Sequence, residues 1–230
     1  MIFRRVVGNT FGVVGLLAVG AWLASTADRV VYQTWHEWAF ERQLQTEPAT
    51  VGAFLEEEKL RAVGWLVGSR QPMESAVPAG APALTPPPAQ SSPAPVPPHG
   101  IVGRLIIPRL GVRAIVRDGD AEDTLRVALG HIPSTALPGQ IGNVGIAGHR
   151  DTLFRGLRGV RKNDLILVET QAGKYVYRVR STRIVNPRDV SVLQAGRSRQ
   201  LTLVTCYPFS YVGSAPDRFI VQADQVSGAS

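Results

Sequence analysis

The sequence predicts an all-β barrel domain over residues 100–230, set behind an N-terminal apolar helix and a proline-rich linker. Three observations carry that prediction. The 22 residues from Val6 to Ala27 contain no charged side chain. Residues 72–99 hold 10 of the chain's 17 prolines. From Gly100 onward, short apolar runs recur between Gly, Pro and Asp/Asn turns, with only one or two helical turns among them. That texture is the pattern of a closed or nearly closed β-barrel of seven or eight strands, and a segment of this length can bury a usable core without disulfide staples.

The N-terminal segment, residues 1–27, reads as a cytoplasmic stub and a transmembrane anchor. At 1.5 Å per residue the uncharged run is long enough for a hydrocarbon core of about 30 Å. Arg4 and Arg5 before it and Asp28 after it favour a cytoplasmic N-terminus. The rival is a cleaved signal peptide, whose apolar core is usually about 7–15 residues. The greater length of this run, and Tyr32, Trp35 and Trp38 as an interfacial belt, favour an uncleaved anchor.

Residues 28–71 read as juxtamembrane helix. Val31, Trp35, Trp38 and Arg42 recur at steps of three and four. Glu47-Pro48 interrupts the pattern, because the residue before proline avoids the helical region. A second piece follows Thr50, a candidate cap, with Phe54, Leu55, Val63, Trp65 and Leu66 as apolar surface. The expectation here is a pair of partly solvated helices without chemistry. Residues 72–99 cannot bury a core and favour an extended polyproline form, a spacer that holds the next domain away from its anchor.

Strands are expected at 101–108 and 112–116, split by a turn at Leu110-Gly111, then at 142–149, 164–170, 174–185, 200–206 and 218–226. The pair 164–170 and 174–185 flanks Gln171-Ala172-Gly173 and reads as a hairpin. Residues 120–130 read as one short helix with Asp120 as cap and Gly130 as stop. Asp151 is expected to cap the turn after His149. Residues 187–196 are expected to form a short helical connection.

Charge is uneven along the chain. Residues 100–230 carry 18 Lys/Arg against 10 Asp/Glu, and the remainder is close to balance. A basic surface can attract nucleic acid or anionic lipid. No basic run, zinc-ligand spacing or aromatic RNA-binding motif accompanies it, so nucleic acid is not expected as a partner. The single cysteine, Cys206, excludes an intramolecular disulfide and leaves the redox compartment open.

Cys206 stands at the end of the strand-like stretch Leu201 to Thr205. A lone cysteine is commonly a small buried hydrophobe; as a nucleophile it needs a base and an anion stabiliser. Of four histidines, His36 and His99 lie outside the barrel. His149 ends a strand in GIAGHRDT, where Gly145 and Gly148 permit close backbone approach. Arg218 opens the last strand and offers a fixed fork of donors for a developing oxyanion. Cysteine, imidazole and guanidinium on one barrel rim make an acyl-transfer site. The carboxylates Asp120, Glu122 and Asp123 raise the question of calcium. The helix dipole explains acidic residues at a helix start, and neither a metal nor a cofactor is expected.

These segments resemble the sortase family. The resemblance runs over residues 100–226: IIPRLGV in the first strands, GHIPSTALPGQIGNVGIAGHRD in the middle, and LTLVTCYPF with GSAPDRFIV at the end. The last pair is most similar to class D. What the resemblance implies is an eight-stranded sortase barrel and a cysteine transpeptidase. Cys206 would attack an LPxTG-like sorting signal after its threonine. His149 would protonate the leaving amine, Arg218 would hold the threonine carbonyl, and an amine of the cell envelope would resolve the thioacyl intermediate. Thr205 and His131 are secondary candidates for oxyanion support or pocket lining. Two alternatives stay open: a cysteine peptidase that only hydrolyses, and an anchored barrel that binds without catalysis.

Overall fold

A computed structural model describes residues 2–45, 49–66, 100–211 and 213–228. Within helical residues 2–14 and 60–66 the backbone alone is described, as at residues 17, 18, 25, 227 and 228. The proline-rich linker at 72–99 and the Glu47-Pro48 break lie outside the described residues.

Among the described residues eight strands close into a barrel in the order β1-β2-β3-β4-β7-β8-β6-β5. The strands are β1 (Ile101–Ile107), β2 (Val112–Asp118), β3 (Leu129–His131), β4 (Gly142–Ala147), β5 (Leu165–Thr170), β6 (Gly173–Val185), β7 (Arg199–Tyr207) and β8 (Asp217–Gly228). Two pairings are parallel, β2 with β3 and β4 with β7. The other neighbours run antiparallel. The expected β5–β6 hairpin forms, in register from Leu165↔Arg178 to Thr170↔Gly173. Between β1 and β2 a single 3-10 turn, Pro108–Leu110, ends on Gly111 with φ 62°, a left-handed conformation that glycine adopts without a Cβ penalty.

The strands alternate as a half-buried sheet should. In β6, Tyr175, Tyr177 and Val179 point inward while Lys174, Arg178 and Arg180 face outward. The interior is filled by Leu105, Ile107, Leu129, Ile146, Ile166, Leu201 and Leu203, all fully buried, with Phe154 and Leu157 covering one end.

Three expectations require correction. The stretch 120–130 is not one helix. The short helix α3 spans only Glu122–Val127, is preceded by Ala121 as its N-cap without a side-chain bond, and gives way to strand β3. Asp120 is therefore not the cap. Gly130, expected to stop the helix, is a strand residue whose place a Cβ would fill at 2.4 Å from the Gly119 carbonyl oxygen. The turn after His149 is closed by the His149 carbonyl, which accepts from Thr152 N (3.4 Å) and Phe154 N (3.1 Å), rather than by Asp151.

The N-terminal segment is helical. Helix α1 runs from Ile2 to Leu44, and α2 from Val51 to Leu66 with Thr50 Oγ1 accepting from Ala53 N at 3.4 Å. Among the described residues no helix is long and apolar enough to cross a membrane; most side chains of the first turns of α1 lie outside that description. Trp35 and Trp38 pack against Phe54 of α2, and the Trp38 indole donates to Glu57 Oε2 at 2.6 Å. Tyr32 lies against His36, the two rings tilted with centroids 4.1 Å apart, and beneath the Arg117 guanidinium.

The second half of α1 docks on the barrel. Gln33 bridges two backbone groups: its Nε2 donates to the Val127 carbonyl at the end of α3 (2.7 Å), and its Oε1 accepts from Ile115 N of β2 (3.0 Å). β3 pairs with β2 only over Val116–Asp118, so Ile115 lies where that edge of β2 is unpaired. Glu37 pairs with Arg113 at 3.3 Å, Asp28 with Arg126, and Phe40 is buried beneath the Arg104 guanidinium. These contacts hold α1 against the barrel, while most described side chains of α1 and α2 stay partly exposed.

Arg104 is the node of this junction. Its Nε and Nη2 both bind Glu169 Oε2 (2.9 and 2.6 Å), and Nη1 reaches Glu41 on α1 (3.1 Å). Burial alone would push the Glu169 carboxyl up, yet the Arg104 fork and Lys174 hold it below the ordinary carboxylate range. A carboxyl lowered in the folded state stabilises the fold above its unfolded value, about 4.3, and loses that contribution as pH falls through the folded value. Glu169→Gln leaves the Arg104 charge buried with only Glu41 to face it. It is expected to cost about 3 kcal/mol at neutral pH, read as a lower denaturant midpoint, and to reduce the loss of stability on acidification seen in the parent protein.

Candidate active site

The site forms at one end of strand β7, and the pairing on either side of that strand builds it. On one side β4 runs parallel to β7 and stays in register up to Ala147↔Val204, extended by a bond from Gly148 N to the Val204 carbonyl (3.1 Å). His149 and Cys206 each lie two positions beyond that last pair. On the other side β8 runs antiparallel, and Cys206 and Arg218 are direct register partners. Directly opposed residues of an antiparallel pair present their side chains on the same face. Three residues far apart in sequence thus reach one rim because the barrel's hydrogen-bond ladder leaves them no other place.

Local packing holds each of them. Gly148 precedes His149, and a Cβ there would stand 2.6 Å from Leu129 Cδ2 and 2.7 Å from Phe154 Cδ2, so only glycine lets the His149 turn lie this close to the core. Thr205 is buried, and its hydroxyl donates to the Gly148 carbonyl at 2.7 Å, tying the residue before Cys206 to the residue before His149. Beyond the cysteine, Tyr207, Phe209 and Phe219 form a cluster with ring centroids 5.3–6.3 Å apart. It braces the end of β7 against the start of β8.

Cys206, His149, Arg218 and Thr205 all line one open cleft. Its walls come from Glu122 and Leu125 of α3 and from Pro187, Val190 and Leu193 in the β6–β7 connection. Cys206 is half-buried, and the His149 side chain is 31 % exposed, so both can meet a peptide. The two recorded bonds of Arg218 run from Nη1 to the Ala215 and Asp217 carbonyls (3.4 and 3.1 Å). They orient the guanidinium and leave Nε and Nη2 as donors. Chemically this is a thiol, a titratable imidazole and a permanent cation around one groove, the parts of an acyl transfer through sulfur.

His131 does not line this cleft. It is buried at the end of β3, where Nδ1 faces Asp118 Oδ1 (3.2 Å) and Nε2 faces Thr135 Oγ1 and the Ala136 carbonyl (both 3.1 Å). Its contacts pin the β3–β4 connection. Glu122, weighed in the sequence only as one of three acids at a helix start, does reach the site: its Oε1 lies 3.3 Å from His149 Nε2. Arg150, beside the histidine, also escaped notice; its Nη2 donates to the Tyr211 and Gly213 carbonyls (2.6 and 3.1 Å) and steadies the β7–β8 loop. Neither carries a sequence signal beyond its charge.

The barrel is similar to known proteins. A family model for the sortase domain matches residues 105–226. Sortase D of Bacillus subtilis is 34 % identical over 126 residues, covering 54 % of this chain and 64 % of its own length. The chain therefore spans somewhat under two thirds of that relative. Among solved structures, a Clostridium perfringens Sortase D5 transpeptidase superposes with a TM-score of 0.53 at 28 % identity, covering 58 % of this chain and 83 % of that one. Sortase A from Corynebacterium diphtheriae gives 0.53 at 29 % identity, covering 56 % and 62 %. With the barrel closed in eight strands, the cleft at the end of β7 and the family match over most of the barrel, the chain belongs to the sortase family.

Proposed function

We propose that this chain is a cysteine transpeptidase of the cell envelope, acting on protein substrates that end in an LPxTG-like sorting signal. The observation that carries the reading is the register pair Cys206↔Arg218 with His149 on the same cleft. The Cys206 thiolate attacks the threonine carbonyl of the signal, forming a C–S bond and an oxyanion. The free Nε and Nη2 donors of Arg218 hold that oxygen, the role in which a fixed donor fork is most effective. Collapse breaks the C–N bond, and the His149 imidazolium gives its proton to the departing amine. An amine acceptor then attacks the thioester, His149 takes its proton, and the C–S bond breaks to restore the thiolate. Every proton that leaves His149 in the first half returns in the second, so the cycle needs no cofactor.

Anchoring by residues 6–27 with the barrel outside the cytoplasm is part of the same proposal, supported by the length of the uncharged run and the arginines before it. Residues 100–230 are then the catalytic domain. Thr205 supports the oxyanion region indirectly, through its bond to the Gly148 carbonyl. His131 serves the frame through its bonds to the β3–β4 connection.

The decisive experiment incubates the full chain with a sorting-signal peptide, with and without an added primary amine, and identifies products by mass spectrometry. An amide-linked product that requires the amine is expected, together with a thioacyl adduct on Cys206 that is lost in Cys206→Ala. Hydrolysis alone with every amine tried points to a peptidase, and no adduct at all to a binding module. Arg218→Lys keeps the charge and removes the fork. It is expected to lower kcat by about 10²–10³-fold with the fold intact by circular dichroism. For the anchor, the full chain is expected to stay with the membrane fraction after alkaline carbonate washing, and a chain lacking residues 1–27 to be released.

A further inference from the structure

Glu122 stands at the lip of the cleft, the first residue of α3, with its Oε1 3.3 Å from His149 Nε2. Its side chain is 82 % exposed, so the contact is not forced by burial. What is fixed is the backbone that carries it. α3 is held at its far end by Gln33 of α1, which donates to the Val127 carbonyl (2.7 Å), and by the Arg126–Asp28 pair. Thr124 and Val127 are buried beneath it, and Leu125 faces the cleft. Just after the helix, Gly130 passes so close to the Gly119 carbonyl that the entry and exit of the α3 segment are pinned together. A short rigid helix thus presents one carboxylate to the reactive imidazole. The acid nearest the histidine in sequence, Asp151, plays no such part, since the turn it sits in is closed by the His149 carbonyl.

We propose that Glu122 is a positioning residue for His149: its carboxylate, 3.3 Å from Nε2, is placed to accept a hydrogen bond from Nε2–H and so to select the tautomer and ring orientation in which Nδ1 is left to exchange protons at the cleft. A histidine's working nitrogen is set by the bond its other nitrogen makes, and a base oriented by a third group is the recurring arrangement in nucleophilic catalysis. The inference rests on the acyl-transfer reading of the same cleft. It adds to that reading a link from the N-terminal helix to the reaction centre, because α1 holds the helix that holds Glu122.

The test uses the full chain, selectively labelled with ¹⁵N-histidine, and compares the parent with Glu122→Ala and Glu122→Gln; His149→Gln identifies the relevant signal. At a pH where the imidazole is neutral, the parent is expected to show mainly the Nε2–H tautomer. Glu122→Ala should move the population toward Nδ1–H and lower kcat about two- to fivefold with KM little changed, the size expected for an exposed contact of this kind. Glu122→Gln, whose amide oxygen accepts the same bond, should restore both to within about twofold of the parent. An unchanged tautomer population in Glu122→Ala, an unchanged kcat, or Glu122→Gln behaving as Glu122→Ala each overturns the proposal. The two readings fail separately: a parent without any transfer or thioacyl formation ends the acyl-transfer reading, while the tautomer measurement still decides the contact.

Discussion

Strand β7 is the constraint on which the rest of the molecule depends. It pairs in parallel on one side, with β4, and antiparallel on the other, with β8. A parallel partner brings the end of β4 to the same rim as the end of β7. An antiparallel partner brings the beginning of β8 there. His149, Cys206 and Arg218 are an end, an end and a beginning, and no other combination of strand directions would bring all three together. A one-residue slip of β7 against β8 would turn Cys206 to the other face of the sheet from its present partner. The fully buried Leu201 and Leu203, which alternate with the outward positions of the same strand, make that slip costly. The core specifies the register, and the register specifies the site.

A second layer holds this rim from outside the barrel. Helix α1 lies along β2 and α3 and satisfies backbone groups that the sheet leaves open, Ile115 N and the Val127 carbonyl, through a single glutamine. Unpaired buried backbone groups are costly, and strand edges are normally covered or paired. The Arg104 node then joins α1, β1 and β5 by charge, with Glu41 from the helix and Glu169 from the strand sharing one guanidinium. Elements that look accessory in sequence complete the satisfaction of the barrel's own polar groups.

Much of the barrel was legible because its strands carry their signal locally. β5, β6, β7 and β8 alternate or run apolar over six residues or more between turn residues. Strand β3 was not legible: Leu129, Gly130 and His131 are too few to alternate, and they follow a helical pattern that runs into them without a break. Its existence is decided by the parallel edge of β2, a tertiary partner. The site divides in the same way. Cys206, His149 and Arg218 stand in strand-end motifs and could be named from residues, whereas Glu122 is one acid among three at a helix start. Only the path of α3 across the cleft distinguishes it from Asp120 and Asp123. His131 sits in a motif as recognisable as that of His149, yet its ring is enclosed by Asp118, Thr135 and Ala136, so motif strength alone does not separate a frame residue from a reacting one.

The docking of α1 ties the N-terminal helix to the barrel directly. In the structure α1 and the barrel are in contact through Asp28, Gln33, Glu37 and Glu41. Among the described contacts, the ion pair of Asp28 with Arg126 joins α1 to α3 immediately after the uncharged run. The same helix that ends that run holds α3, and α3 carries the carboxylate beside His149. The N-terminal helix and the carboxylate beside His149 are therefore joined through one element, α1.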